Sequence, residues 1–124
     1  NMKVLRNNYL QEMGTVGTIT KNYRIFVNST DNGDVPHFHC RRPDDRRDTC
    51  IKLLCAEYFQ HGKNTNTLPT AVCKELYDFL RSPSKDLPAI TNWQYLVSLW
   101  NHDNRRNVPI DTPLPDYTKL NKEK

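Results

Sequence analysis

The sequence lacks any apolar run long enough to cross a bilayer, which needs about 20 residues. Its first residues also lack the apolar stretch and the small-residue cleavage site of a secretory signal peptide. We therefore expect no membrane partner and a cytoplasmic location.

The four cysteines lack the spacing of a disulfide framework or a zinc finger. They are Cys40, Cys50, Cys55 and Cys73, and no two of them form a C-x-x-C pair. Cys50 and Cys55 fall on one predicted strand, about 16 Å apart between Cα atoms if extended, which is too far for a disulfide. Because a cytoplasmic location is expected, we predict four reduced thiols.

No part of the chain has a strong excess of one charge, although the formal net charge is +4. Residues 1–62 and 63–124 each hold nine basic and seven acidic side chains, so there is no basic tail. The mild excess permits nucleic-acid contact without requiring it. With 124 residues, of which 36% are hydrophobic and 26% charged, the composition is typical of one polar globular domain.

Strand signals precede helix signals along the chain. Four stretches are rich in β-branched and aromatic residues, and turn residues such as Asn32-Gly33 separate them. Short connections of this kind predict an antiparallel meander. The predicted strands cover residues 15–20, 23–27, 34–42 and about 49–57.

Two helical patterns follow the strands. The first lies between Pro69, which suits a helix start, and Ser82-Pro83, which would end it. The second begins with Thr91 and Gln94 at the spacing of a capping box. The apolar stripes consist of Val72, Leu76, Phe79 and Leu80 in the first helix and Trp93, Leu96, Val97 and Trp100 in the second.

This order of elements predicts an α+β fold. We expect a three- to four-stranded antiparallel meander with both helices packed on one face of the sheet. On that face, the helical stripes should bury Phe38, Leu53 and either Ile25 or Phe26.

One domain accounts for the chain, with additional residues at each end. The α+β domain would span residues 15–103. An extension over residues 1–14 could form a short helix, and a proline-rich tail over residues 104–124 would be extended.

The stretch DVPHFHCRR, residues 34–42, holds two of the four histidines. Side chains alternate across a strand, so His37, His39 and Arg41 should share one face, opposite Phe38 and Cys40. Because Phe38 is the natural core residue, we predict that the two histidines point outward and are at least partly open to solvent.

Two imidazoles on one strand face can converge on a metal ion, and His-x-His on a strand is a recurring half-site for zinc. His37 and His39 are therefore candidate metal ligands, with a divalent ion such as zinc as the candidate cofactor. Surface histidines without chemistry are the simpler interpretation. A third ligand would have to come from elsewhere, and the candidates are Asp34, Asp48, Glu57 and His61.

The same strand face offers residue types for phosphodiester chemistry. A metal-independent nuclease needs a general acid–base pair and a cation near the phosphate. His37, His39 and Arg41 supply these types and are the candidate catalytic residues. A nucleophilic Cys40 would need a lowered pKa, and an inert buried thiol is the simpler interpretation for a side chain on the core face.

One combination of motifs runs through residues 16–102. It consists of Asp31 with Pro36-His37-Phe38-His39, the apolar strand over residues 49–57, Gly62 with Leu68-Pro69, and Asn92-Trp93. This combination resembles a small bacterial domain family of unknown function. The resemblance implies an association with toxin–antitoxin-like genes and mobile elements, and it implies no established activity.

The chain differs from that family pattern in its longer ends, in Cys40 and in the charged turn over residues 41–47. These differences suggest an offshoot in a phage or mobile element.

The sequence thus favours a small cytoplasmic binding module whose partner is a protein or a nucleic acid. The strand face with His37, His39 and Arg41 is the candidate surface. A nuclease-type phosphodiesterase or metal-binding enzyme that uses both histidines is the first alternative. A phage or mobile-element accessory or structural protein is the second. Self-association as a homo-oligomer stays open.

Overall fold

The computed structural model of the chain describes residues 14–28, 35–45, 48–59, 66–104 and 108–122. The predicted N-terminal helix, the Asn32-Gly33 turn and the candidate ligands Asp34 and His61 lie outside these residues. The described strands are β1 (Thr15–Ile19), β2 (Tyr23–Phe26), β3 (His37–Arg41) and β4 (Thr49–Lys52). The described α-helices are α1 (Thr70–Arg81) and α2 (Asn92–Asn104), and two short 3-10 helices span Thr20–Asn22 and Tyr117–Lys119.

The strands form one antiparallel sheet in the order β1-β2-β3-β4, and the two helices follow it. The predicted α+β meander is therefore confirmed. The register places Ile25 opposite Cys40 and Phe38 opposite Ile51. Since side chains alternate across each strand, these four side chains lie on one face, which we call the helix-covered face.

The predicted fourth strand is too long. β4 ends at Lys52 because the chain bends there and returns along the same strand. On the return, the amide of Lys52 donates to the carbonyl of Glu57, and the amide of Phe59 donates to the carbonyl of Cys50. The return segment brings the Phe59 ring next to β3.

The helical stripes bury the helix-covered face as predicted. Trp93 has 4% of its surface exposed, and Phe38 has none. Phe26 does not belong to this core; it lies on the other face of the sheet, whereas Ile25 does belong. Besides Ile25, Phe38 and Leu53, the core contains Val72, Leu76, Leu80, Trp93, Leu96, Val97 and Trp100, with Phe79 packed against it.

Local chemistry fixes the start of α2. The Thr91 hydroxyl accepts a hydrogen bond from the Gln94 amide at 3.1 Å, and the Gln94 side chain accepts one from the Thr91 amide at 2.9 Å. This reciprocal pair is the predicted capping box. Pro69, immediately before α1, likewise lies at the predicted helix start.

The proline-rich tail contributes to the core. Tyr117 is fully buried and donates its hydroxyl hydrogen to the carbonyl of Lys52 at 2.7 Å. Val108 and Leu120 are buried as well. The composition of the tail predicted an extended segment, but it did not predict these buried side chains.

All four cysteines lie within the described residues, and none of them is in a disulfide. The reduced state of the thiols in solution stays a prediction. No helix in the described part of the chain is long and apolar enough to cross a membrane.

Candidate functional site

The sheet face opposite the helix-covered face carries the sequence-predicted site, and we call it the polar face. Register and alternation assign seven side chains of β2, β3 and β4 to it. His39 lies opposite Phe26 on one side and Cys50 on the other, and Arg24 lies opposite Arg41. The members of the polar face are Arg24, Phe26, His37, His39, Arg41, Cys50 and Lys52.

The predicted grouping of the two histidines is confirmed. The ring centroids of His37 and His39 are 5.2 Å apart. Phe38 and Cys40 point to the opposite face, into the core.

The prediction that these histidines are open to solvent is wrong. His37 is fully buried, and His39 has 2% of its surface exposed. Aromatic side chains from distant parts of the chain cover them. The rings of Phe59 and Trp100 lie 4.6 and 5.4 Å from that of His37. Phe26 stacks on His39 at 5.0 Å.

Each buried imidazole has polar contacts. The His37 Nδ1 lies 2.9 Å from the carbonyl oxygen of Val35, which can only accept, so this nitrogen carries the hydrogen. The His39 Nε2 lies 3.4 Å from the amide nitrogen of Asn28, which can donate to it. Its Nδ1 lies 3.3 Å from Asp48 Oδ2. These partners place a ring hydrogen on Nδ1 of each histidine.

Cys50 is a neighbour that sequence reasoning missed. Its Sγ lies 3.5 Å from the Nδ1 of His39, the same nitrogen that contacts Asp48. In a nucleophile–base–carboxylate triad, the base contacts the two partners through different nitrogens. This cluster therefore lacks the geometry of such a triad. The pairing of β3 with β4 was the only signal that could have placed Cys50 beside His39.

The candidate nucleophile Cys40 is fully buried in the apolar core. Burial raises the pKa of its thiol far above the ordinary value, and the nearby Cys73 adds to the effect. Cys40 is therefore a protonated core side chain at neutral pH, as in the simpler interpretation.

Of the candidate third metal ligands, Asp48 and Glu57 lie within the described residues, and these two do not converge on the two histidines. Asp48 contacts His39, but the carboxylate of Glu57 pairs with Lys52 at 2.9 Å. Across the described ranges, no three His, Cys, Asp or Glu side chains are grouped so that they could hold a metal ion. The zinc site with His37 and His39 stays a prediction.

The outer part of the polar face carries two arginines that share an aromatic ring. The guanidinium carbons of Arg24 and Arg41 lie 4.2 and 5.6 Å from the centroid of the Phe26 ring. The two arginines are also direct cross-strand partners. We call Arg24, Arg41 and the Phe26 ring the arginine patch. Sequence reasoning found Arg41 and missed Arg24, which lies 17 positions earlier in the chain.

Asp48 connects the arginine patch to the buried histidine. Its Oδ1 lies 3.2 Å from Arg41 Nη1, and its Oδ2 lies 3.3 Å from His39 Nδ1. The Arg41 side chain is 37% exposed, whereas His39 is buried beneath it. The histidine thus helps to orient the carboxylate that holds Arg41.

Comparisons with known proteins add no constraint. No family model, curated protein or solved structure matches the chain. The function has to be argued from the polar face itself.

Proposed function

We propose that this chain is a binding module that recognises an anionic group of its partner through the arginine patch. The supporting observation is the direct opposition of Arg24 and Arg41 on neighbouring antiparallel strands. Two guanidinium groups in such positions present their positive charges and their hydrogen-bond donors to the same anion.

The geometry of the patch suits phosphate or carboxylate. A guanidinium group is planar and can donate two parallel hydrogen bonds to either anion. Both guanidinium groups lie against the Phe26 ring, which restricts their motion before a partner arrives. Asp48 compensates part of the charge of Arg41 when no partner is bound.

Of the three residues on the predicted surface, the proposal retains Arg41 as a contact residue. The two histidines instead lie buried behind the contact surface. Since His37 and His39 are buried, neither imidazole can contact a substrate at the surface in this conformation. The nuclease-type and metal-binding enzymes, the phage or mobile-element protein, the homo-oligomer and the cytoplasmic location stay predictions.

Retention on immobilised heparin, a polyanion, tests the proposal. The double variant Arg24→Ala/Arg41→Ala should elute at clearly lower salt than the unmodified protein. The matched control is Lys74→Ala/Arg81→Ala, which removes the same two charges from exposed positions of α1. The control should shift much less, because its charges lie outside the patch. Equal shifts for the two double variants would show that only net charge matters and would contradict the proposal.

A further inference from the structure

An open groove of about 900 Å³ adjoins the arginine patch. It lies between β1 at the edge of the sheet and the chain around the end of α1 and the start of α2. Its side chains combine cations, aromatic rings and hydrogen-bonding groups. Those that matter here are Arg24, Phe79, Lys85, Asp86 and Tyr95.

Arg24 belongs to both the arginine patch and the groove. One side of its guanidinium group faces the Phe26 ring at 4.2 Å, and the same residue lines the groove. An anionic chain could therefore bind Arg41 and Arg24 in succession and continue to Lys85. A single small anion could contact only part of this run of three cations.

The aromatic residues give the groove a second kind of contact. Phe79 and Tyr95 both line it, and both are partly buried against the core. Aromatic rings and guanidinium planes are the groups on which unpaired bases stack. The exposed Asp86 carboxylate can accept hydrogen bonds from base edges. The Asp86 carboxylate also repels phosphate, so the backbone of such a ligand should follow Arg24 and Lys85.

We infer that the anionic partner is a single-stranded nucleic acid whose phosphates contact Arg41, Arg24 and Lys85 and whose bases enter the groove. This inference rests on the proposed function, since it names the partner of the same patch. A base pair keeps its faces stacked inside a duplex, so a duplex could offer phosphates to the patch but no bases to the groove. An acidic protein could likewise bind the patch, but it would not need the stacking groups.

Fluorescence anisotropy with a labelled single-stranded DNA of about 12 nucleotides tests the inference. The same strand in a duplex and an abasic strand of equal length serve as comparison probes. We expect the single strand to bind about tenfold more tightly than either, because stacking contributes about 1–3 kcal/mol per base. With three contacting cations, the logarithm of affinity should fall with that of salt with a slope of about −2.

Two variants separate stacking from charge. Phe79→Leu keeps every charge and an apolar side chain but removes a stacking ring from the groove, so it should weaken single-strand binding about fivefold and barely affect the abasic strand. Lys85→Ala should reduce the magnitude of the salt slope by about 0.7. Lys74→Ala, at an exposed position of α1, is the matched control and should leave the slope unchanged.

The outcomes distinguish the inference from the proposed function. If heparin retention depends on the patch but single strand, duplex and abasic strand bind equally, the inference fails and the anion-binding proposal stands. Patch-dependent heparin retention without any DNA binding would also overturn the inference and would favour an acidic protein. If heparin retention does not depend on the patch, both fail.

Discussion

Both faces of the sheet contain buried side chains, but these are buried by different means. On the helix-covered face, Phe38 and Ile51 pack against apolar side chains of the helices and the tail. On the polar face, His39 lies between a stacked Phe26 ring and the side chains of Asp48 and Cys50. The comparison teaches that strand alternation predicts which face a side chain occupies but not whether that face is open to water.

The energetic demands of the faces differ accordingly. An apolar side chain needs only close packing, whereas a buried imidazole is costly unless its nitrogens find hydrogen-bond partners. Val35 supplies one partner for His37, and Asp48 and Asn28 supply contacts for His39. The polar face should therefore be sensitive to loss of particular partners as well as to loss of volume.

Truncation of the helix-covered core should have the largest effect. Trp93→Ala should lower the free energy of unfolding by about 3–5 kcal/mol, because Trp93 is 4% exposed and the truncation leaves a cavity. Urea unfolding followed by circular dichroism measures this loss. The control is Leu87→Ala at a half-exposed position, which should change stability by less than about 0.5 kcal/mol. A loss below about 1 kcal/mol for Trp93→Ala would contradict the burial of this face.

Truncation of a buried histidine should have a slightly smaller effect. His39→Ala should lower the free energy of unfolding by about 2–4 kcal/mol, because it removes a stacked ring and the partner of Asp48. His102→Ala is the matched control, since the His102 side chain is 70% exposed. It should cost less than about 0.5 kcal/mol. An equally small loss of unfolding free energy for both variants would contradict the burial of His39.

The sequence predicted the helix-covered face better than the polar face, for a physical reason. Phe38 and the helical stripes carry a periodic apolar signal that requires no knowledge of other segments. The cover of His37 comes from Phe59 and Trp100, which only the folded chain brings near. The pairing of Arg24 with Arg41 depends on the register between β2 and β3, which a single sequence does not specify.

High pH should lower the free energy of unfolding, because a thiol and a phenol are buried in the core. Burial raises the pKa of Cys40 above its ordinary value of 9.0 and that of Tyr117 above 10.0. Above these ordinary values, the unfolded chain releases protons that the folded chain retains, so stability falls as pH rises from about 9. Each such group contributes a slope of about 1.4 kcal/mol per pH unit.

Urea unfolding between pH 8 and 10.5 measures this slope. Cys40→Ala removes one of the groups, so its stability should decline less steeply by about one such increment. A slope unchanged by the substitution would mean that the Cys40 thiol ionises as readily in the folded chain as in the unfolded one.

A substitution at the exposed edge of the polar face should change the free energy of unfolding least. Lys52 and Glu57 form an ion pair at 2.9 Å with side chains that are 31% and 46% exposed. Lys52→Ala should cost less than about 0.5 kcal/mol, because solvent screens such pairs. The same unfolding assay, repeated at high salt, should show almost no further change. A loss as large as that of His39→Ala would mean that charge, rather than burial, stabilises this face.

Histidine modification by diethylpyrocarbonate, read out by mass spectrometry on the folded protein, tests the burial of the polar face most directly. The reagent reaches only imidazoles that contact solvent. His37 and His39 should stay unmodified while His102, with a 70% exposed side chain, reacts fully. Modification of His37 and His39 at the rate of His102 would place both imidazoles at the surface. It would contradict the assignment of the histidines to the scaffold and of the arginines to the contact surface.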